Sequence, residues 1–291
     1  HDTSQRSKNM NQHHLCLLHS LVNSYYSNLT FAPTMSEKKP LILICNDDSI
    51  TAPGILATVE VMKTFGTVVV VAPDSPQSGM GHAITINKPL RLVKNSQFGP
   101  EVESYQCSGT PADCVKLAVD KVLRRKPDLL ISGINHGSNA SINGIYSGTM
   151  IAAMEGAIEG ITAIGFSLLD FSWDADFTAA KVYMHKIVGQ VLEHGLSDGT
   201  LLSVNIPNVP EKEIKGIKIC RQARAKWVEA FDHRQDPHGR DYYWLTGKFV
   251  NLDKGEDTDE WALANNYVSA VPVQFDLTAH HAIQNLNTWD L

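Results

Sequence analysis

The chain has 291 residues, 43% of them hydrophobic, and a formal net charge of −6, room for one large α/β domain with an appendage. No apolar run approaches the length of a membrane span, and mild acidity gives no chain-wide attraction for a nucleic-acid polymer or an anionic lipid surface. The five cysteines, at 16, 45, 107, 114 and 220, are odd in number and lack metal-finger spacing, so they read as reduced thiols of a cytoplasmic protein.

Residues 1–37 differ in texture from the rest. They are rich in Asn, Ser and His, and their apolar run is interrupted by His19. Phe31-Ala32-Pro33-Thr34 is a poor cleavage site for a secretory signal, and Asn28-Leu29-Thr30 is a glycosylation pattern only in a secreted protein. The expectation is a disordered extension ending near Met35, with a targeting peptide as the lesser reading. An α/β catalytic core is expected over 38–197 and a β-rich C-terminal part over 198–291.

Leu41-Ile42-Leu43-Ile44-Cys45 is a short unbroken apolar run, the pattern of a parallel strand buried on both faces. It runs directly into Asn46-Asp47-Asp48. Ligands of open α/β sheets bind outside the carboxyl ends of strands, and two adjacent carboxylates repel unless a cation lies between them. A plain strand-end turn, where Asn and Asp are common, is the competing reading. Pro53, Ile55, Val59, Met62 and Phe65 follow at helical spacing, with Gly66 as the expected stop. Residues 67–71 form a second buried strand, so the β-α-β crossover makes the two strands parallel. Its exit, Ala72-Pro73-Asp74-Ser75-Pro76-Gln77-Ser78-Gly79, then opens on the same edge as the acid pair. Residues 84–93 alternate like a flanking strand or hairpin.

Thr110-Pro111-Ala112-Asp113 reads as a helix start, with Thr110 as N-cap, Pro111 in the first turn and Asp113 closing a capping box. Residues 128–132 give another buried strand, feeding a polar loop that carries Asn135, His136 and Asn139. Tyr146-Ser147-Gly148-Thr149 opens a small-residue helix whose N–H groups and dipole suit an anion, although Ser147 could equally serve as a cap alone. A strand over 161–167 and an amphipathic helix over 175–193, stopped by Gly195, follow. Strands are expected at 201–206, 214–220 and 267–275. Between them, residues 221–247 are rich in charge and aromatics around the turn Asp236-Pro237-His238-Gly239, the pattern of a projecting hairpin. Its aromatics suit a partner surface better than catalysis. The acidic stretch 255–260 lacks a full calcium-loop pattern and fits a capped short helix.

The clusters at 46–48, 74–79 and 132–139 each follow a parallel strand, so topology brings them to one sheet edge. Two carboxylates, a hydroxyl and amide oxygens make an oxygen donor set suited to Mg²⁺ or Mn²⁺ rather than zinc.

Asn46-Asp47-Asp48 with Ala52-Pro53-Gly54-Ile55 resembles the opening signature of the stationary-phase survival protein SurE family. So do Val71-Ala72-Pro73-Asp74, Gln77-Ser78-Gly79, Gly109-Thr110-Pro111-Ala112-Asp113, Ser132-Gly133-Ile134-Asn135 and Tyr146-Ser147-Gly148-Thr149. The resemblance runs in order from about residue 40 to 278. It implies a Rossmann-like, mostly parallel sheet flanked by helices, with a projecting hairpin that joins a homodimer or homotetramer. It also implies a 5′-nucleotidase that uses one divalent cation per subunit and acts on nucleoside 5′-monophosphates, with 3′-monophosphates and short polyphosphate as further substrates. Carried over, the metal ligands are Asp47, Asp48, Ser78 and Asn135. Asp47, Asp48 and Asn135 are the catalytic set, and Asn46, Asn139, Ser147, Gly148 and Thr149 line the phosphate. Ser49 departs from the pattern, which has Gly there, and residues 1–34 have no counterpart in it.

The chemistry so implied is hydrolysis of a phosphomonoester by water, with Asp47 or Asp48 orienting the nucleophile and His82 or His136 as candidates for proton transfer. A phosphatase working through a phospho-aspartate would want its two acids separated by one residue, and here they are adjacent. A non-catalytic nucleotide-binding module would carry a glycine fingerprint after the first strand, and Asn46-Asp47-Asp48-Ser49 is not one.

Overall fold

Strand β1 (Leu41–Cys45) runs through the middle of the protein. The structure is a computed structural model, and it describes residues 39–290. The extension expected over 1–37 lies outside the described residues. Ile42 and Ile44 pack into one hydrophobic cluster and Leu43 and Cys45 into another on the opposite face, all four fully buried. Successive side chains of a strand point to opposite faces, so an unbroken apolar run is what a doubly covered strand needs.

The sheet has nine strands in the order β3-β4-β2-β1-β5-β6-β7-β11-β8. Strands β2 (Thr67–Pro73), β4 (Glu103–Cys107), β5 (Leu129–His136), β6 (Ala163–Leu168) and β7 (Thr200–Ile206) run parallel with β1. Strand β3 (Leu92–Asn95) closes one edge antiparallel, while β11 (Val268–Gln274), antiparallel to β7, and β8 (Ile217–Ile219) extend the other. Helices α1 (Pro53–Met62) and α4 (Thr178–His194) cover one face, and α2 (Pro111–Leu117) and α3 (Gly148–Ile158) cover the other. The expected α/β class and mostly parallel sheet are therefore found. From β1 the chain winds outward through β2 to β4, then returns to the other side of β1 and winds outward through β5, β6 and β7. The reversal makes the β1/β5 junction the topological switch point, where the crevice of such a sheet opens.

Several local expectations change. Helix α1 ends at Met62, and Gly66 is no left-handed stop: a Cβ there would fall 2.1 Å from the Pro40 carbonyl oxygen, so Gly66 is needed for close chain approach. Residues 84–93 do not form a strand as a block. Only Leu92–Asn95 does, paired with β4 (Glu103–Cys107), whose mixed polar sequence hid it. Strand β5 continues through Asn135 to His136, where a loop was expected, because Asn135 and His136 still pair with Ser167 and Leu168 of β6. The capping box at Thr110 and Asp113 is present, as is Ser147 capping α3.

Strands β9 (Ala225–Gln235) and β10 (Asp241–Asn251) form a separate two-stranded ribbon, the expected hairpin. Its base is tied to the turn at Ser141 by the buried Asp259, at the start of α5 (Asp259–Ala264), whose carboxylate accepts from Ala223 N and Ser141 N at 2.9 and 2.7 Å. The acidic stretch before it makes a capped short helix, with Thr258 accepting from Trp261 N.

The turn that ends β1 contains a buried residue in left-handed conformation, Ser49, at φ 90°. An L side chain is disfavoured there by about 1–2 kcal/mol, partly offset by the 3.0 Å contact between the Ser49 and Thr51 hydroxyls. Melting temperatures should therefore rank Ser49→Gly at or above the natural protein, Ser49→Ala below both, and Ser49→Val lowest. A valine variant as stable as the glycine one would show that the turn relaxes and carries no such constraint.

Candidate active site at the β1/β5 switch point

Asp47 and Asp48 leave the end of β1, and Asn135 sits near the end of β5, so the two strands flanking the switch point supply three of the four expected metal ligands. Between Ser132 and Asn135 the register of β5 against β6 shifts, a bulge of the kind that re-aims side chains beside functional sites. The Gly133 carbonyl in this bulge accepts a 2.7 Å bond from Thr58 Oγ1 of α1, which fixes the irregular backbone. Asn135 is largely buried, and its Nδ2 donates to the Gly137 carbonyl at 2.8 Å, leaving Oδ1 as the acceptor on offer.

Asp47 is the most enclosed member. Thr149 Oγ1 donates to its Oδ1, and a Cβ on Gly148 would fall 2.5 Å from the Asp47 Cβ. Only glycine lets the first turn of α3 close on this carboxylate. The start of α3, expected to face a phosphate, lies against the carboxyl of Asp47. Burial, then the adjacent Asp48 charge, push the Asp47 carboxyl up to about 7, with the Thr149 hydroxyl and the Gly148 N–H pulling it back. Asp48 is less enclosed and is also raised, chiefly by burial, against a 3.1 Å hydrogen bond from His136 N to its Oδ2.

Other expected residues take more structural positions. Asn46 is fully buried, and its Nδ2 closes the turn by donating to the Ser49 carbonyl at 2.7 Å. Asn139 is bound to β6 and β7 through Ser167 Oγ and Asn205 Oδ1, at 2.9 and 2.8 Å. Ser147 Oγ accepts from Met150 N at 3.1 Å. Ser78 is exposed, on the segment drawn to β1 by a 2.8 Å bond from Gln77 N to the Asp47 carbonyl. His82 is turned away to Glu155 of α3, 2.9 Å from its Oε2. His136 Nδ1 donates to the Ser172 carbonyl at 2.8 Å, while its Nε2 is buried without a partner.

Sequence reasoning passed over residues 169–174, which follow β6 at the same edge, and put 175–177 in a helix that begins only at Thr178. This segment puts Trp173 on the His136 ring, centroids 5.8 Å apart and planes 15° off parallel. The available signal was three aromatics, Phe171, Trp173 and Phe177, interleaved with Asp170, Asp174 and Asp176 after the strand.

The raised carboxyl sets a pH dependence. Unfolded, Asp47 ionises near its ordinary 3.8; folded and without a cation, it holds its proton to about 7. Across that window the folded state binds more protons, so stability falls as pH rises and levels off above it. Chelator-treated protein should lose melting temperature from about pH 4 to pH 7, and Asp47→Asn should flatten this fall. An unchanged slope in Asp47→Asn would place the titrating group elsewhere.

Residues 42–229 match the family model described as survival protein SurE. The 5′-nucleotidase SurE of Flavobacterium psychrophilum is 66% identical over 253 residues, covering 87% of this chain and 98% of that protein. The protein of the same name from Chlorobium limicola is 48% identical over 254 residues, covering 87% and 98%. The crystal structure of the SurE protein from Aquifex aeolicus superposes with a TM-score of 0.74 at 40% identity, covering 85% of this chain and 98% of that one. The chain belongs to the survival protein SurE family.

Proposed function

We propose that this chain is a metal-dependent phosphomonoesterase, a 5′-nucleotidase that hydrolyses nucleoside 5′-monophosphates to nucleoside and phosphate. What supports the reading is that Asp47 and Asp48 follow β1 and Asn135 lies near the end of the neighbouring β5, at the switch-point crevice, in a chain whose relatives are named 5′-nucleotidases. Two raised, neighbouring carboxylates and an amide oxygen are a hard oxygen donor set, which fits Mg²⁺ or Mn²⁺. Among the described residues no group of three or more His, Cys, Asp and Glu gathers as a metal site, so a site here is completed by oxygens of Asn135 and Ser78. A cation held by Asp47, Asp48, Asn135 and Ser78 would supply charge to offset the carboxylates and the phosphoryl oxygens and would favour ionisation of the attacking water.

The chain's own groups do the rest. Thr149 Oγ1 and the Gly148 N–H fix Asp47, and His136 N fixes Asp48. We assign to Asp48, the more open of the two acids, the orientation of the attacking water. The eleven-residue helix α3 directs its N-terminal dipole to the same crevice, favouring an incoming phosphate. Ser147, Gly148, Thr149 and Asn139 are assigned to the wall against which the phosphate rests, with Asn46 shaping the turn behind it. Catalysis by residues 38–197 and assembly by 198–291 is the division of labour this implies. The same reading extends to 3′-monophosphates and short polyphosphate as secondary substrates.

Among the described residues no helix is long and apolar enough to cross a membrane. Cys45, Cys107, Cys114 and Cys220 are buried free thiols, which supports a reducing compartment, and we infer the cytoplasm.

Asp48→Asn tests the metal-centred reading. It removes one negative ligand at nearly constant volume, so phosphate release from a nucleoside 5′-monophosphate should fall by orders of magnitude and the Mn²⁺-induced rise in melting temperature should shrink. Full turnover and an unchanged Mn²⁺ effect in the variant would refute the assignment.

The hairpin bears on assembly. Phe231, Tyr243, Trp244 and Leu245 are 60–67% exposed on it, a cluster that supports a homodimer or homotetramer built through this ribbon. Trp227 pairs with Phe249 across the strands, so replacing residues 228–248 with Asn-Gly shortens the ribbon in register. Light scattering should then report monomers; an unchanged mass would remove the hairpin from the interface.

A further inference from the structure

Two large rings stand open at the catalytic edge. Phe171 is 83% exposed and Trp173 55% exposed, although each is positioned against the end of β5. Trp173 lies on the His136 ring at 5.8 Å. His136 is in turn held by its bond to the Ser172 carbonyl and by the edge of Phe177, ring centroids 5.1 Å apart at 77°. A Cβ on Gly137 would fall 2.2 Å from the Phe171 ring, so that ring rests on bare main chain two residues past Asn135. The backbone N–H of His136 holds Asp48. One face of Trp173 is thus backed by the ring of His136, the residue whose N–H holds Asp48, and its other face has no ring against it among the described residues.

Exposed aromatic faces at a fixed position are stacking platforms for flat ligands, since every base presents a π-face. A nucleoside monophosphate carries its flat group a sugar's length from the phosphate. We propose that Trp173, with Phe171 beside it, is the platform on which the nucleobase of the substrate stacks, purines more tightly than pyrimidines because their ring face is larger. This rests on the phosphomonoesterase reading above and adds the part of the substrate that selects it. The rival ring is Tyr146, 51% exposed beside Ser147, but among the described residues no aromatic ring stacks behind it.

The test compares AMP with ribose 5-phosphate, the same phosphate ester without its base, using the full chain with Mg²⁺ or Mn²⁺. In Trp173→Ala the ratio of kcat/KM for AMP to that for ribose 5-phosphate should fall about tenfold, the scale of one lost base stack. The loss should lie in KM, and Trp173→Phe should recover most of it. A ratio unchanged in Trp173→Ala, or one that falls only in Tyr146→Ala, overturns the platform. A second measurement separates this proposal from the reaction on which it rests. Adenosine, which has no phosphate, should quench tryptophan fluorescence of the natural protein and not of Trp173→Phe. Absence of turnover on both phosphate esters would refute the hydrolase while leaving that titration to decide the platform. Equal quenching in both proteins would refute the platform, whatever the turnover.

Discussion

Two carboxylates, adjacent in sequence and withdrawn from water at the end of the central strand, are the constraint around which the rest of the molecule is arranged. Burial penalises each charge, and each raises the cost of ionising the other. Both carboxyls are accordingly displaced upward. A fold without a use for such a pair would replace one acid with an amide and gain stability. Here the surroundings do the opposite and hold the acids in place, with a hydroxyl and a helix start on Asp47 and a strand N–H on Asp48. The donors counter the penalty without cancelling it, and the divalent cation proposed above would offset the remainder.

Sheet topology explains why the pair can be both buried and reachable. Strands β1 and β5 are neighbours in space, but the chain leaves them toward opposite sides, so no crossover helix closes over their common end. The acids lie within the fold by side-chain burial yet at the mouth of the crevice by position. The bulge in β5 lies just before Asn135 on the other wall, and Thr58 of α1 anchors the bulge from the sheet face.

Much of this was legible in the sequence because the signals were local. The apolar runs of β1 and β2, the Thr110 capping box, the Ser147 start of α3 and the hairpin turn each depend on a few adjacent residues, and each was found. What escaped reading depended on partners distant in the chain. Strand β4 has the mixed sequence Glu-Ser-Tyr-Gln-Cys and exists through pairing with β2 and β3. Gly133, Ile134 and Asn135 look like a loop until β6 lies beside them. Thr149 offered a hydroxyl at a helix start, and only the approach of Asp47 over Gly148 makes that hydroxyl a carboxylate partner rather than a free donor for phosphate. His82, a proton-transfer candidate by sequence distance, is committed to Glu155.

That last pairing bears on how the segment carrying Ser78, the outlying member of the proposed ligand set, is held to the fold. Glu155 is 2% exposed on α3 and receives both His82, at 2.9 Å, and Lys116 of α2, at 2.5 Å. A buried carboxylate with two cationic or hydrogen-bonding partners is a strong local tether, because removing either partner leaves one of its oxygens unsatisfied in a desolvated place. The segment after Ser78 is held further along by Thr110 Oγ1 on the Ala83 carbonyl and by Asp113 on Thr85 N, at 2.7 and 3.0 Å. Helix α3 therefore acts twice: its first turn secures Asp47, and its middle secures the loop that carries Ser78. The helix cap and the capping box, read from sequence as devices of secondary structure, are also what hold the exposed segment that carries Ser78 to the helices beside it. A substitution at Glu155 that spared every proposed ligand would still loosen Ser78 relative to Asp47, since the two are referred to one helix.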